Sequence, residues 1–171
     1  MKIMVASDIH GSYEWAVKAV ERFHEERADK LLLLGDILYH GPRNNLPEDY
    51  YPKDVINLLN REKENILAVR GNCDTEVDQM VLEFPIMADY IYLISGDKVF
   101  FATHGHIYNP LNPPVFLPKG SVLLCGHTHI AADQMVGDIR YMNPGSPSIP
   151  KGETIPSYII IEDGKAELKT F

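Results

Sequence analysis

The sequence predicts an α/β domain in which a mixed β-sheet system is covered on the outside by helices. In the first part of the chain, short apolar runs typical of buried strands alternate with amphipathic helical patterns, whereas the last part consists mainly of hairpins. The 171 residues suffice for one compact core, and no linker, repeat or low-complexity tract divides them. We therefore expect a single domain over residues 1–171.

The elements of the first part follow from apolar periodicity. Residues 2–7, KIMVAS, predict a strand, and Ser12 is the expected N-cap of a helix with Ala16 and Val20 on its apolar face. The run 30–35, KLLLLG, is too short and too uniformly apolar for an amphipathic helix, and it predicts a strand covered on both faces. A proline-rich loop precedes a short helix near 54–60, a strand at 65–71 and a short helix at 75–84.

The second part is predicted from its turns. Gly-Asp and Asp-Gly turns are typical of hairpins. They join three predicted strand pairs, at 90–95 with 98–103, 131–136 with 139–144, and 157–162 with 166–171. A second proline-rich loop and a further strand at 121–126 lie between the first two pairs.

The composition excludes several classes of protein. With 24 acidic and 16 basic residues the net charge is −8, which argues against a general nucleic-acid binder. It does not exclude a small phosphorylated substrate, because metal cations can supply positive charge. No apolar run approaches the ~20 residues of a membrane span, the N-terminus lacks the features of a signal peptide, and two cysteines are too few for a disulfide framework. We expect a cytoplasmic protein without membrane partners.

Polar side chains follow five predicted strands, at the point where each strand ends. Ligands in open α/β sheets gather outside the carboxyl ends of the strands, so these side chains are expected to lie together. Imidazole and oxygen ligands suit manganese, iron, zinc, nickel or cobalt better than calcium or a structural zinc site. The clusters are Asp8 with His10, Asp36 alone, Asn72 with Cys73 and Asp74, His104 with His106, and His127 with His129.

The number of these side chains predicts two metal ions. They are too many for one tetrahedral ion, and a carboxylate between two ions roughly 3.5–4 Å apart is the arrangement used in phosphoryl hydrolysis. Each motif alone has an ordinary explanation, since an Asp-x-His after a strand is usually a turn acid beside a surface histidine, and Gly-Asp is a common turn. Their occurrence together, each at a strand end, favours the dinuclear centre.

The motifs DIHG, GD, GNCD, THGH and GHTH resemble those of the calcineurin-like metallophosphoesterase family, over the chain from Met1 to about Pro150. The small size and the segments HGPRN, VRGNCD, VDQM and NPGSPSIPKG are similar to the single-domain bacterial YfcE-type phosphodiesterases. The resemblance implies a four-layer α-β-β-α sandwich of two mixed sheets, with helices on each outer face.

The resemblance also implies a set of metal ligands. We expect two divalent ions per chain, with manganese as the first expectation and zinc, iron, nickel or cobalt as alternatives. By motif, the first ion would be held by Asp8, His10 and His129, the second by Asn72, His104 and His127, and Asp36 would bridge the two.

Cys73 departs from the family pattern, which has a histidine here in most members. That histidine stabilises the transition state or protonates the leaving oxygen, and the following acid, here Asp74, often orients it. A thiol with an ordinary pKa of about 8.5 is a weak proton donor, so we expect little general-acid assistance. The predicted catalytic residues are Asn72, Cys73 and Asp74, and the alternative for Cys73 is a small buried residue without a chemical role.

Two residues are predicted to contact the substrate. Arg43 lies in a long loop, where binding residues concentrate, and is the candidate for a phosphate contact. A solvated surface arginine is the alternative. His106 has no settled ligand role in the family pattern, and we expect it on the substrate side or behind a ligand.

The predicted function is divalent-metal-dependent hydrolysis of a small phosphate diester by a hydroxide that bridges two ions. The preference for a diester depends mainly on the resemblance, and a phosphomonoesterase is the nearest alternative. A nuclease is disfavoured because the acidic composition provides no strand-tracking groove. A non-catalytic scaffold of the same fold, such as the retromer subunit, has an eroded ligand set, whereas every ligand position is filled here. Homo-oligomerisation stays open.

Overall fold

The computed structural model describes residues 1–171 and contains ten strands and three helices. Every element predicted from the sequence is present, with its bounds shifted by a few residues at most. In chain order, the elements are β1 (Lys2–Ala6), α1 (Tyr13–Glu25), β2 (Lys30–Leu33), α2 (Pro52–Arg61), β3 (Ile66–Ala68), α3 (Glu76–Val81), β4 (Tyr90–Ser95), β5 (Lys98–Thr103), β6 (Val122–Leu124), β7 (Ala132–Val136), β8 (Ile139–Asn143), β9 (Ser157–Glu162) and β10 (Lys165–Thr170).

The strands form two five-stranded sheets, and both are mixed. The first has the order β10-β9-β1-β2-β3, with β1, β2 and β3 parallel and the β9–β10 hairpin antiparallel to β1. The second has the order β4-β5-β6-β8-β7, with β5, β6 and β8 parallel and antiparallel strands at both edges. The two mixed sheets of the predicted fold class are confirmed.

The sheets pack face to face through alternate residues of their strands. Val5 and Leu32 of the first sheet share a buried apolar cluster with Phe100 and Leu124 of the second. Successive side chains of a strand point to opposite faces, so their neighbours in the first sheet, such as Met4, belong to the cluster on its outer face.

Helices α1 and α2 cover that outer face. Ser12 caps α1 by accepting a hydrogen bond of 3.3 Å from the Trp15 N–H, and Ala16 and Val20 are buried, as predicted. Val55 of α2 joins the same apolar cluster. The longest helix has 13 residues, and none of the three has the length and hydropathy required to cross a bilayer.

The outer face of the second sheet is covered by the loop between β5 and β6. Phe101 of β5 packs against Tyr108 and Phe116 of this loop, with ring centroids 5.6 and 5.7 Å apart. Prolines recur along the loop and disfavour a helix there. The loop therefore takes the place of the outer helical layer that the resemblance implied on this side.

Candidate metal centre

The carboxyl ends of strands from both sheets meet at one edge of the sandwich. Beyond β1 and β2, the Asp8 N–H donates to the Gly35 carbonyl at 3.1 Å. Beyond β5 and β6, the Gly126 N–H donates to the His104 carbonyl at 2.8 Å. The two sheets join where the His127 N–H donates to Oδ2 of Asp8 at 2.9 Å. The polar clusters predicted at separate strand ends are thus neighbours in space.

Asp8, His10 and His129 form the first group of candidate metal ligands. The Nε2 atoms of His10 and His129 lie 3.1 Å apart, and they lie 3.6 and 3.3 Å from Oδ1 of Asp8. All three side chains are buried, and Oδ1 of Asp8 accepts no hydrogen bond. A buried carboxylate oxygen without a donor is costly, and a cation bound here would remove that cost.

Asn72, His104 and His127 form the second group. Nε2 of His104 lies 3.1 Å from Oδ1 of Asn72 and 3.2 Å from Nδ1 of His127. The group combines two imidazole nitrogens with an amide oxygen, which suits a borderline divalent transition metal ion.

Asp36 lies between the two groups. Its Oδ2 is 3.7 Å from Nε2 of His10 in the first group and 3.4 Å from Nε2 of His104 in the second. Its Oδ1 accepts a hydrogen bond of 2.8 Å from the backbone N–H of Cys73. One carboxylate oxygen is therefore fixed by the backbone, and the other faces donor atoms of both groups.

Backbone carbonyls orient three of the imidazoles. Nδ1 of His10 lies 2.7 Å from the Tyr39 carbonyl oxygen, and Nδ1 of His104 lies 2.7 Å from that of Leu34. His129 has the same arrangement, with the Ile149 carbonyl oxygen at 2.8 Å. A carbonyl can only accept, so Nδ1 carries a proton and Nε2 is the nitrogen that faces the centre. Metal-binding histidines are oriented in this way.

Five candidate ligands have a left-handed backbone. A positive φ in a residue other than glycine costs of order 1–3 kcal/mol and persists where the surroundings enforce it. The φ values are 55° for Asp8, 52° for His10, 53° for Asp36, 66° for His127 and 61° for His129. These strained backbone conformations therefore direct the five side chains towards one small volume.

Asp74 fixes the backbone of Asp36. Its carboxylate accepts hydrogen bonds from the backbone N–H groups of Asp36, Ile37 and Gly71, at 2.8, 2.9 and 2.7 Å. The resemblance implied that this acid orients the side chain at position 73, and the structure corrects that prediction. Asp74 instead ties the segment after β2 to the segment after β3, which makes it a positioning residue.

The charges of the centre favour a cation. Burial alone would raise the pKa of Asp8, but contacts with His10 and His104 hold it well below its usual range. Burial alone would lower the pKa of His104, but the hydrogen bond with Asp36 and the charge of Asp8 raise it to about 9. Burial and the positive charge of His104 lower the pKa of His127. The carboxylates thus attract positive charge that the crowded imidazoles cannot all carry as protons, whereas a metal ion leaves its ligands deprotonated.

Cys73 is buried beside this centre. Its Sγ accepts a hydrogen bond of 3.2 Å from Nδ2 of Asn72, and 9% of the residue is exposed. Burial and the neighbouring Asp36 carboxylate raise the pKa of the thiol to about 12. The thiol is therefore neutral and is a poor proton donor at neutral pH, as expected from the sequence.

A polar pocket opens onto the two groups of ligands. Arg43, the predicted phosphate contact, lines it together with Asp36 and Asn72. Lys151 lines the same pocket and was not predicted. It lies in the segment after β8, whose backbone reaches the site where the Lys151 N–H donates to the His129 carbonyl at 3.0 Å. The signal available in the sequence was a single basic residue after SIP.

His106 lies behind the ligands and outside the wall of this pocket. Its ring centroid is 5.4 Å from that of His104 and 6.2 Å from that of His127. Its Nδ1 is buried without a hydrogen-bond partner. The structure therefore places His106 against two imidazoles of the second group, which agrees with the expected position behind a ligand, and its contact with substrate stays a prediction.

Two packed mixed sheets whose strand ends supply buried aspartates, an asparagine and histidines define a fold and site of the metallophosphoesterase class. The model of the calcineurin-like phosphoesterase superfamily domain matches residues 1–165. The chain belongs to this family, which confirms the resemblance seen in its motifs.

Named relatives agree with this assignment. The chain is 47% identical over 163 residues to phosphodiesterase YfcE of Escherichia coli, covering 95% of this chain and 88% of the relative. It is 30% identical over 151 residues to a phosphodiesterase of Methanocaldococcus jannaschii, covering 85% of this chain and 83% of the relative. The solved structure of the Escherichia coli phosphoesterase Yfce superposes with a TM-score of 0.91, covering 95% of this chain and 89% of that one.

Proposed function

We propose that this phosphoesterase hydrolyses small phosphate diesters with the help of two divalent ions. The observation that carries the proposal is the position of Asp36, whose Oδ2 faces His10 of one ligand group and His104 of the other. A carboxylate placed in this way suits a bridging ligand, and two-ion centres are the common solution for phosphoryl hydrolysis.

The donors present fit such a centre. Asp8 contributes a buried oxygen that lacks any hydrogen-bond donor, and Nε2 of His10 and of His104 faces the centre, where a bound ion would displace any proton it carries. When bound, two ions would neutralise charge on the phosphate oxygens and supply an ionised bridging water as the nucleophile. The proposed ligands are Asp8, His10 and His129 for one ion, Asn72, His104 and His127 for the other, and Asp36 for both.

Residues of the pocket complete the proposal. Arg43 and Lys151 line it and offer cationic side chains to the phosphate, although the chain as a whole is acidic. The Asn72 amide lies at the same wall and would orient a phosphate oxygen. Cys73, whose thiol is neutral and weakly acidic, provides no strong proton donor for the leaving oxygen. The site is therefore suited to diesters whose leaving group departs as a stable anion.

The relatives and the ligand set also distinguish this proposal from two alternative functions. A phosphomonoesterase would use the same ions, and the identity to named phosphodiesterases supports the diester. A non-catalytic scaffold of this fold would not need to retain every ligand position, yet all of them are filled and brought together here. A cytoplasmic location stays a prediction.

The proposal is tested by metal analysis combined with a matched pair of substrates. The protein is stripped with a chelator and reloaded with manganese, zinc, iron, nickel or cobalt. Hydrolysis of bis(4-nitrophenyl) phosphate is then compared with that of 4-nitrophenyl phosphate. We expect two ions per chain at saturation, higher activity on the diester, and manganese among the activating ions. One ion or none at saturation would contradict the dinuclear centre, and preference for the monoester would reverse the assignment of substrate.

A further inference from the structure

An apolar groove lies beside the polar pocket, on the other side of Cys73. We call it the aromatic groove, and its wall includes Tyr39, Tyr50, Ile56, Cys73, Val77 and Val81. Cys73 also lines the polar pocket, so the two cavities share one wall residue. The two cavities are therefore neighbours, separated by the Cys73 side chain.

The aromatic side of the groove is fixed to the metal centre. The Tyr39 carbonyl oxygen accepts the hydrogen bond that orients His10. The Tyr50 ring lies against Gly11, since a Cβ built on that glycine would come 2.5 Å from Cε2 of Tyr50. The His40 ring stands between the two tyrosines in edge-on contacts, with centroid distances of 4.8 and 5.4 Å. The tyrosine rings are thus held at a set distance from a candidate metal ligand.

The opposite side of the groove carries exposed apolar side chains beside the polar residues Thr75 and Asp78. Val77 and Val81 of α3 are 68% and 42% exposed, and Tyr39 is 40% exposed. No residue of α3 is buried, so this helix does not use its apolar side chains to hold the fold together. An apolar surface that adjoins a polar, convergent site is typical of a ligand subsite.

We propose that the aromatic groove binds a flat aromatic ester group of the substrate while the phosphate occupies the polar pocket. This inference deepens the proposed function and depends on it. The tyrosine edges and faces provide the stacking contacts that an aromatic ring prefers, and the valines provide apolar contact on the other side. The small thiol of Cys73 separates the two subsites without placing a polar group against the ring.

A second groove next to His127 is the matched control. It contains Leu111, which is 97% exposed, and Ile130, together with polar residues such as Asn109 and Gln134. Leu111 and Ile130 lie on loops, and the single aromatic side chain of this groove, Tyr141, is only 5% exposed, so the groove offers no accessible aromatic surface. We therefore assign the aromatic ester group to the aromatic groove.

The test compares two symmetric diesters, so the orientation of the ligand does not matter. Dissociation constants of diphenyl phosphate and dimethyl phosphate are measured by ligand-observed NMR on the metal-loaded protein. The variants are Tyr39→Ala, the double variant Val77→Ser/Val81→Ser, and the control Leu111→Ser. The valines and Leu111 are exposed, so these substitutions leave the fold intact.

We expect the unchanged protein to bind diphenyl phosphate at least about tenfold more tightly than dimethyl phosphate. Tyr39→Ala and the valine double variant should each reduce this preference by about three- to tenfold, and Leu111→Ser should retain it. Equal binding of the two diesters, or loss of the preference only in Leu111→Ser, would overturn the proposal. Hydrolysis of bis(4-nitrophenyl) phosphate is assayed in parallel. Its absence would count against the proposed function, whereas full hydrolysis with an unchanged preference in the groove variants would count against the groove alone.

Discussion

The backbone N–H of Cys73 donates a hydrogen bond of 2.8 Å to Oδ1 of Asp36, and the other carboxylate oxygen is left to face the histidines. The residue at position 73 thus orients the Asp36 carboxylate through its main chain. The Cys73 side chain is not needed for this hydrogen bond, and it forms the boundary between the polar pocket and the aromatic groove.

Asp36→Asn is predicted to weaken binding of both ions together. The backbone donor at residue 73 selects the amide oxygen, so the –NH₂ group would face His10 and His104 in place of a carboxylate oxygen. We expect metal affinity to fall by at least about 100-fold, since even residues behind the ligands contribute about 10–100-fold. Asn72→Ala is the control and should weaken one ion only. Metal titration followed by elemental analysis measures both, and full activity of Asp36→Asn at low metal concentration would exclude the bridging role.

Gly71→Ala is predicted to displace the bridging carboxylate. A Cβ at this position would lie 2.1 Å from Oδ1 and 2.3 Å from the backbone nitrogen of Asp36, distances that no side chain tolerates. We expect a loss of stability of about 1–3 kcal/mol and weaker binding of both ions. Gly137→Ala is the control, because its new methyl group has no neighbour within 4 Å and only its φ of 59° opposes the change. Thermal unfolding and metal content that match the unchanged protein would refute the predicted clash.

Cys73→Ser and Cys73→His are predicted to differ in how the rate of diester hydrolysis depends on the leaving group. The serine variant should retain most activity on nitrophenyl diesters, because nitrophenolate needs little protonation as it departs. The histidine variant should speed the hydrolysis of poor leaving groups, since an imidazole with a pKa near ~6.5 donates a proton at neutral pH. The gain should fall below the roughly 10²–10⁴-fold of a well-placed acid, because the thiol is close-packed, with Sγ 3.1 Å from a Cβ built on Gly41.

The measurement is the dependence of rate on leaving-group pKa, which should be flatter for Cys73→His. Metal content is measured on the same samples. Loss of all activity in Cys73→Ser on good and poor leaving groups alike, with both ions bound, would mean that the thiol itself takes part in the chemistry.

Glu26 is predicted to make stability depend on pH below neutrality. Its carboxylate accepts hydrogen bonds of 2.8 Å from Lys169, Lys2 and the Tyr158 hydroxyl. The bonds from Lys169 and Lys2 lower its pKa from 4.5 to about 2. The pKa of Glu26 is lower in the folded state than in the unfolded state. The contribution of these bonds to the free energy of unfolding is therefore fully present above about pH 4.5 and is lost as the pH falls towards 2.

Glu26→Gln should therefore lower the free energy of unfolding at pH 7 by about 1–3 kcal/mol, and by less at pH 3. Denaturant unfolding of the metal-free protein at both values measures this. Glu14→Gln, which removes an exposed pair with Lys18 in α1, is the control and should cost about 0.5 kcal/mol or less. A constant difference between the Glu26 variant and the unchanged protein from pH 7 to pH 3 would refute the linkage.

The sequence was sufficient where the signal is local. Five of the strands end in a polar cluster, and parallel strands bring their carboxyl ends to one edge, so the meeting of Asp8, Asp36 and His104 could be predicted from the sequence. The turns between the later strands could also be predicted, because Gly-Asp and Asp-Gly pairs are local features of the sequence.

What the sequence did not predict depends on contacts between distant segments. Lys151 reaches the pocket because its backbone pairs with that of His129. Two of the backbone amides that donate to Asp74 belong to Asp36 and Ile37, which are 38 and 37 residues away along the chain. No local motif predicts hydrogen bonds over such separations. The cover of the second sheet is also non-local, because Tyr108 and Phe116 find Phe101 only after the sheet has formed.

The position of β1 between β2 and β9 has a consequence for biosynthesis. The strand that leads to Asp8 and His10 is translated first, yet one of its two neighbours is formed by residues 157–162. Until those residues leave the ribosome, β1 is an unprotected edge, and the segment that holds the Asp8 carbonyl through Ser146 at 2.7 Å has only just been made. Pairings so distant along the chain form late. The site is therefore completed only once the residues of β9 have been made, when every candidate ligand has already been translated.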